Sequence, residues 1–234
     1  MIDGVFRRRH LPHWDVGGHA FFVTACLAGS ISAAGLRSIQ TKRLELEARE
    51  RPAEMTETEW EHHCGKLLFA FVDRLLDYLS PVRHLADDRQ AEIVRNAFLH
   101  FAGERYRLFA FVVMPSHHHW LFLPNEDWAN LALQKSAAPK SRRTPREIIS
   151  HSIQSYTATM CNRIRGETGT YWQGETFDHW VRDDAELLRI IEYIEGNPVA
   201  AGLTDRPENW PWSSAPLRLA TGIMPGQPLV ETPR

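Results

Sequence analysis

The stretch "RYRLFAFVVMPSHHHWLFLP", residues 105–124, decides the fold. Two apolar runs flank a turn at Met114, Pro115 and Ser116. Such runs around a Pro-containing turn read as an antiparallel hairpin. Side chains two apart on a strand share a face. His117 and His119 therefore point one way, and His118 and Trp120 the other. The triplet becomes H-x-H with His118 as spacer. Two imidazoles on one face suit a divalent metal held through nitrogen. Two ligands do not close a site, so a third must come from elsewhere. Without one, an H-x-H in a chain with 12 His is an accident of composition.

Upstream, "HAFFVTACLAG" from His19 reads as a strand closed by Gly29. "FRRRHLPHWDVGG" before it is a basic arm followed by a turn. Residues 30–60 are dominated by charge and read as an insert, an exposed loop or a surface helix. From about 61 to 79, apolar residues at 67, 68, 71, 72, 75, 76 and 79 have helical spacing. A second helix is expected over about 88–101, capped by Asp87 or Asp88.

Downstream, 125–143 reads as loop and short helix ending in "KSRR". Thr144 as N-cap, Pro145 at the first position and Glu147 closing a capping box start a helix that Gly166 stops. A strand is expected at about 176–181. A helix then runs from the cap Asp183, with Glu186 three residues on, to Gly196 and Pro198. The order is strand, helices, hairpin, helix, strand, helix. It predicts an α+β fold, a ferredoxin-like antiparallel sheet with helices packed on one face. No Gly-rich loop follows a strand, which argues against a Rossmann fold. The reading is one domain over residues 1–216, with 217–234 a Pro- and Gly-rich flexible tail.

Lys and Arg number 27 against 29 Asp and Glu, net −2, so the whole chain has no electrostatic footprint for nucleic acid. Local patches remain: Arg7, Arg8 and Arg9; Lys140, Arg142, Arg143 and Arg146; and Arg163, Arg165 and Arg182. Each is a candidate DNA contact or a solvated surface. Trp14, Trp172, Trp180, Trp210 and Trp212 are base platforms or core. The widely spaced Cys26, Cys64 and Cys161 suit a reducing compartment rather than a disulfide framework. With no signal-peptide pattern and no 18-residue apolar run, a cytoplasmic protein with no membrane association is expected.

A partner for the H-x-H is offered by "IIEYIEGNPVAAG", where Tyr193 and Asn197 stand at i and i+4 on one helix face. Asn197 can add an oxygen ligand and Tyr193 can reach a phosphate on the same metal. Spacing alone equally permits a Tyr193 packed on the sheet and an Asn197 that is only a C-terminal helix residue.

The sequence resembles the REP-associated tyrosine transposases, relatives of the IS200/IS605 transposases within the HUH endonuclease superfamily. The resemblance is carried by "FFVTACLAGS", "RYRLFAFVVMPSHHHWLFLP", "HSIQSYTATMCNRIRGETGTYWQGETFDHWV", "IIEYIEGNPVAAGL" and "ENWPWSSA", in family order over roughly residues 6–216. The family's turn usually reads M-P-N-H-x-H with a hydrophobic spacer. Here Ser116 replaces Asn and His118 is the spacer.

The resemblance implies that His117, His119 and Asn197 hold Mg²⁺ or Mn²⁺ and that Tyr193 is the nucleophile. Tyr156 is the rival, but Met160 four residues on is a poor partner for a hard metal. The implied activity is cleavage and rejoining of single-stranded DNA near hairpins through a 5′-phosphotyrosine. Other readings are a hairpin-binding relative that does not cut and a metal-dependent phosphoester hydrolase. The resemblance leans to a self-contained monomer rather than a dimer that exchanges tyrosine helices.

Overall fold

The computed structural model describes residues 4–8, 12–16, 18–135, 143–174 and 176–230. A four-stranded sheet has the order β4-β5-β3-β6, built from β3 (Phe21–Cys26), β4 (Tyr106–Val113), β5 (His117–Pro124) and β6 (Phe177–Trp180). Every pairing is antiparallel. The expected hairpin is β4–β5, and its turn is closed by the Met114 N–H donating to the His117 carbonyl at 2.9 Å. β3 runs beside β5 with Thr24 opposite His119 and Cys26 opposite His117. The H-x-H therefore lies in the interior of the sheet.

Strand alternation sorts the side chains into two cores. On the first face Phe21, Val23, Phe111, Trp120 and Phe122 pack under α3 (Asp88–His100) and α5 (Pro145–Arg165). On the second face Phe22, Val112 and Leu121 pack under α6 (Asp184–Ala200), with Phe69 of α2 (Glu57–Leu79) alongside. A register shift between Leu108 and Ala110 sends both Phe109 and Ala110 to the second core. Burying side chains of this size is worth about 1.5–3 kcal/mol each.

The α+β class with an antiparallel sheet is the one expected. Helices were expected on one face only, however, and the second face is covered too. The strands explain this, since both of their faces are apolar and neither can be left in water.

Local signals fix the helix ends. Thr144 and Glu147 form a full capping box, and Gly166 ends α5 in the left-handed region at φ 67°. Thr56 and Glu59 do the same at the start of α2. Asp183 caps α6 by accepting from the Glu186 N–H at 2.7 Å. That helix does not stop at Gly196 and Pro198 but runs on to Ala200. Proline in the last turn removes its own hydrogen bond and crowds the Ile194 carbonyl, but only two further helical residues lie beyond it. The Ala201 N–H still reaches the Asn197 carbonyl at 2.9 Å.

The other expectations are refined. The basic arm is a two-stranded hairpin, β1 (Gly4–Arg8) with β2 (Pro12–Val16). The charged insert is α1 (Ala33–Glu47), capped by Ser32, followed by the start of α2. α4 (Glu126–Lys135) is the expected short helix. The tail does not hang free over the described residues. Leu217 of α7 (Ala215–Thr221) packs against the first core, and the Leu229 N–H donates to the Leu108 carbonyl at 2.7 Å with its side chain in that core. Residues 231–234 lie outside the described residues.

"WPWSSA" has a structural role. The Val113 N–H donates to the Trp212 carbonyl at 2.8 Å and the Ser214 N–H to the Phe111 carbonyl at 2.9 Å. Trp210 Nε1 donates to the Val113 carbonyl at 3.0 Å. The segment covers the outer edge of β4, which would otherwise expose unpaired backbone.

Candidate active site

His117 and His119 leave β5 on the second face, as alternation requires, and both are fully buried. Each ring is fixed from behind. Ser116 Oγ donates to the Leu76 carbonyl at 2.9 Å, so it accepts from His117 Nδ1 at 3.0 Å. That leaves Nε2 of His117 as a lone pair, the form that binds metal. The Ser116 that departs from the usual Asn therefore orients a candidate ligand. His119 Nδ1 meets Thr24 Oγ1 at 2.7 Å.

Both Nε2 atoms aim at Asp73, in the middle of α2. His119 Nε2 lies 3.2 Å from Asp73 Oδ1 and His117 Nε2 lies 3.5 Å from it. Among the described residues, Asp73, His117 and His119 form the one His/Cys/Asp/Glu group with a metal-holding arrangement, their ligand atoms all within 4.8 Å. α6 supplies the rest. Tyr193 donates its hydroxyl to Asp73 Oδ2, and Asn197 Nδ2 reaches the same oxygen at 3.3 Å. The Tyr193 ring is 5.6 Å from that of His119, and the residue is 37% exposed, with its hydroxyl turned inward.

The donor set fits a divalent cation. Asp73 Oδ1, Asp77 Oδ1, His117 Nε2, His119 Nε2 and Asn197 Oδ1 are buried and make no hydrogen bond. Buried polar atoms without partners are costly, and those of Asp73, His117 and His119, within 4.8 Å of one another, mark a place for an ion. Two nitrogens with carboxylate and amide oxygens suit a borderline or hard metal.

The electrostatics agree. Burial opposes ionisation of Asp73, but His119 and His117 outweigh it and hold the carboxyl well below its ordinary range. Burial and the neighbouring His119 pull His117 down to about 3, against the attraction of Asp73. Burial and then the Asp73 charge push Asp77 up to about 7. Burial and Asp73 together push Tyr193 far above the usual phenol range. Held on Asp73, Tyr193 keeps its proton.

The structure thus brings together His117, His119, Tyr193 and Asn197. Asp73 escaped the sequence reading. The signal was a carboxylate inside the apolar stripe of α2, between Val72 and Leu76. Tyr156 is not brought in, because α5 covers the opposite face and the side chain is 54% exposed. Arg146 is not a surface cation. It is 4% exposed and pairs with Asp178 of β6 at 3.5 Å, because the first turn of α5 faces the sheet. Arg143 and Arg163 are exposed. Arg9, Lys140 and Arg142 lie outside the described residues, while Arg7 and Arg8 lie on β1. Trp172 is core, donating to Thr157 Oγ1 at 2.9 Å.

Fold and site together define an α+β protein in which a buried two-histidine, one-carboxylate cluster faces a tyrosine on the last long helix. No family model matches the chain. The resemblance read from the sequence holds against known proteins. The chain is 29% identical over 107 residues to a Haemophilus influenzae protein named "Putative REP-associated tyrosine transposase", covering 45% of this chain and 56% of that one. It is 31% identical over 98 residues to an uncharacterized protein of the same organism, covering 40% and 54%. These matches span about half the length of the curated relatives. A solved structure titled "Structure of the REP associates tyrosine transposase bound to a REP hairpin" aligns at TM-score 0.48 with 17% identity, covering 98% of this chain and 93% of the other. No helix among the described residues is long and apolar enough to cross a membrane.

Proposed function

We propose that this chain is a metal-dependent tyrosine endonuclease and strand transferase acting on single-stranded DNA beside hairpins, with Tyr193 as nucleophile. The observation that carries the reading is the convergence of Tyr193 and Asn197 from α6 on the H-x-H pair around Asp73. The DNA-hairpin class of partner follows from the sequence resemblance, and the H. influenzae relative is named as a REP-associated tyrosine transposase.

His117, His119 and Asp73 would hold the metal, and the buried, unbonded Asn197 Oδ1 beside Asp73 could complete the set. When bound there, Mg²⁺ or Mn²⁺ supplies positive charge to the non-bridging oxygens of the scissile phosphate. Tyr193 Oη attacks phosphorus, and the phosphorus–O3′ bond breaks. The products are a 5′-phosphotyrosine and a free 3′-OH. The hydrogen bond to Asp73 Oδ2 positions the hydroxyl, and because Asp73 is held well below its ordinary range and is a poor base, the phenolic proton passes to solvent, which also protonates the leaving O3′. Because the phosphodiester is exchanged rather than hydrolysed, a 3′-OH can reverse the step and join strands.

The test is incubation with hairpin-bearing single strands and Mn²⁺, followed by denaturing gels for covalent adducts. Wild type yields adducts, and Tyr193→Phe yields none while Tyr156→Phe behaves as wild type. Adducts that persist in Tyr193→Phe would refute the assignment.

A further inference from the structure

The side chains of α2 and α6 that face the second side of the sheet form two stripes. On α2 the stripe is His62, Lys66, Phe69 and Asp73; on α6 it is Glu186, Ile190, Tyr193 and Asn197. Both follow helical i, i+4, i+7 spacing. Their C-terminal ends make the candidate active site. Their N-terminal ends meet in a second polar cluster that the proposed chemistry does not use.

In this cluster Glu186 is 5% exposed and acts as the hub. It lies 3.1 Å from His179 Nε2 on β6 and 3.7 Å from Lys66 Nζ. It also accepts from the Arg182 N–H at 3.0 Å. The Arg182 guanidinium meets His62 Nε2 at 2.7 Å. The buried carboxylate thus organises two exposed cations and two imidazoles at one spot. Asp183 is committed to capping α6. Asp184 is exposed in the first turn of that helix.

Between the two ends lies an aromatic bed. Phe69 and Phe177 pack at 4.4 Å, and each lies about 6 Å from Phe22 or from the Tyr193 ring. Seven helical residues separate Lys66 from Asp73 and Glu186 from Tyr193, or about 10 Å along each axis. The cluster is thus one short step along a strand from the attacking hydroxyl, on the same face of the sheet.

We infer that Lys66, Arg182 and His62 form a second phosphate subsite, which grips the single strand next to its scissile phosphate. The inference rests on the proposed function and adds a specific binding determinant to it. Lys66 held by the buried Glu186 and the Arg182 guanidinium held by His62 are preorganised, so gripping a phosphate costs them little side-chain entropy.

The test is binding of a fluorescent hairpin-bearing single strand, read by anisotropy in EDTA so that no chemistry occurs. A set of strands carries one neutral methylphosphonate at each position around the cleavage site. Wild type loses affinity when one particular phosphate near the scissile one is neutralised. The Lys66→Ala/Arg182→Ala variant binds more weakly, ignores that substitution, and has a log–log salt slope shallower by about 0.7, the value for one single-strand phosphate. Both side chains are exposed, so its thermal midpoint stays at the wild-type value. Wild-type affinity in the variant, or an equal sensitivity to every neutralised position, overturns the subsite. Tyr193-dependent adducts alongside that result would leave the nuclease reading standing, whereas no strand binding by wild type would remove both.

Discussion

At the scale of single residues, His118 shows what the fold tolerates beside the site. It faces the first core, 5.1 Å from the Phe98 ring and 4.9 Å from the Trp172 ring. Neither ring nitrogen makes a hydrogen bond. Burial, and then the neighbouring His119 and His117, hold it neutral, well below its ordinary pKa. A buried unsatisfied polar atom costs about 1–3 kcal/mol. His118→Leu should therefore stabilise the chain by about 1 kcal/mol, read as a higher urea midpoint at unchanged slope. It should leave Tyr193-dependent adduct formation intact, because the side chain points away from the ligands. A lower midpoint would mean that the imidazole makes a bond that the geometry does not show.

At the scale of elements, α6 is tied at both ends, to α2 by Tyr193 and Asn197 on Asp73 and to the sheet by Glu186 on His179. Burial opposes ionisation of Glu186, but the His179 contact and the Arg182 N–H outweigh it and hold the carboxyl at about 2. The unfolded chain then binds more protons than the folded one at pH below the ordinary glutamate value of 4.5. The stabilisation is full above that value and is lost as pH falls toward about 2. Denaturation midpoints measured across this window should fall steeply in wild type and less steeply in Glu186→Gln. Equal slopes would mean that the pair does not hold the helix.

The tail is a second tie. Leu229 is 8% exposed in the first core, and Leu229→Ala should cost about 2–3 kcal/mol, measured by equilibrium unfolding. A free tail would give no change.

These elements also show what a sequence displays and what it hides. The hairpin, the split of the histidines, the Thr144 and Asp183 caps and the Gly166 stop were legible because each depends on residues within a turn or a strand period of one another. Tyr193 and Asn197 were legible as a pair for the same reason. Asp73 was not, because its partners lie 44 to 124 residues away, and its place in the apolar stripe of α2 does not say which groups it meets. Arg146 looked like a surface cation for the same reason. Asp178, the residue that buries it, belongs to a strand at the far edge of the sheet.

At the scale of the whole molecule, the candidate site is where three elements meet. Asp73 comes from α2, both histidines from the central strand β5, and Tyr193 and Asn197 from α6. An ion held by these groups has ligands on elements that separate on unfolding, so its binding must stabilise the global fold. At a free metal concentration of a hundred times Kd the gain is about 2.7 kcal/mol. Mn²⁺ should therefore raise the thermal midpoint of the DNA-free protein, and EDTA should reverse the rise. Asp73→Asn keeps the shape but removes the charge, and the Mn²⁺-dependent rise should shrink strongly. Tyr193→Phe, which removes no ligand, should keep it. A rise in Asp73→Asn as large as in wild type would exclude the carboxylate from the metal shell and leave Asn197 as the third ligand, the set that the sequence resemblance alone implies.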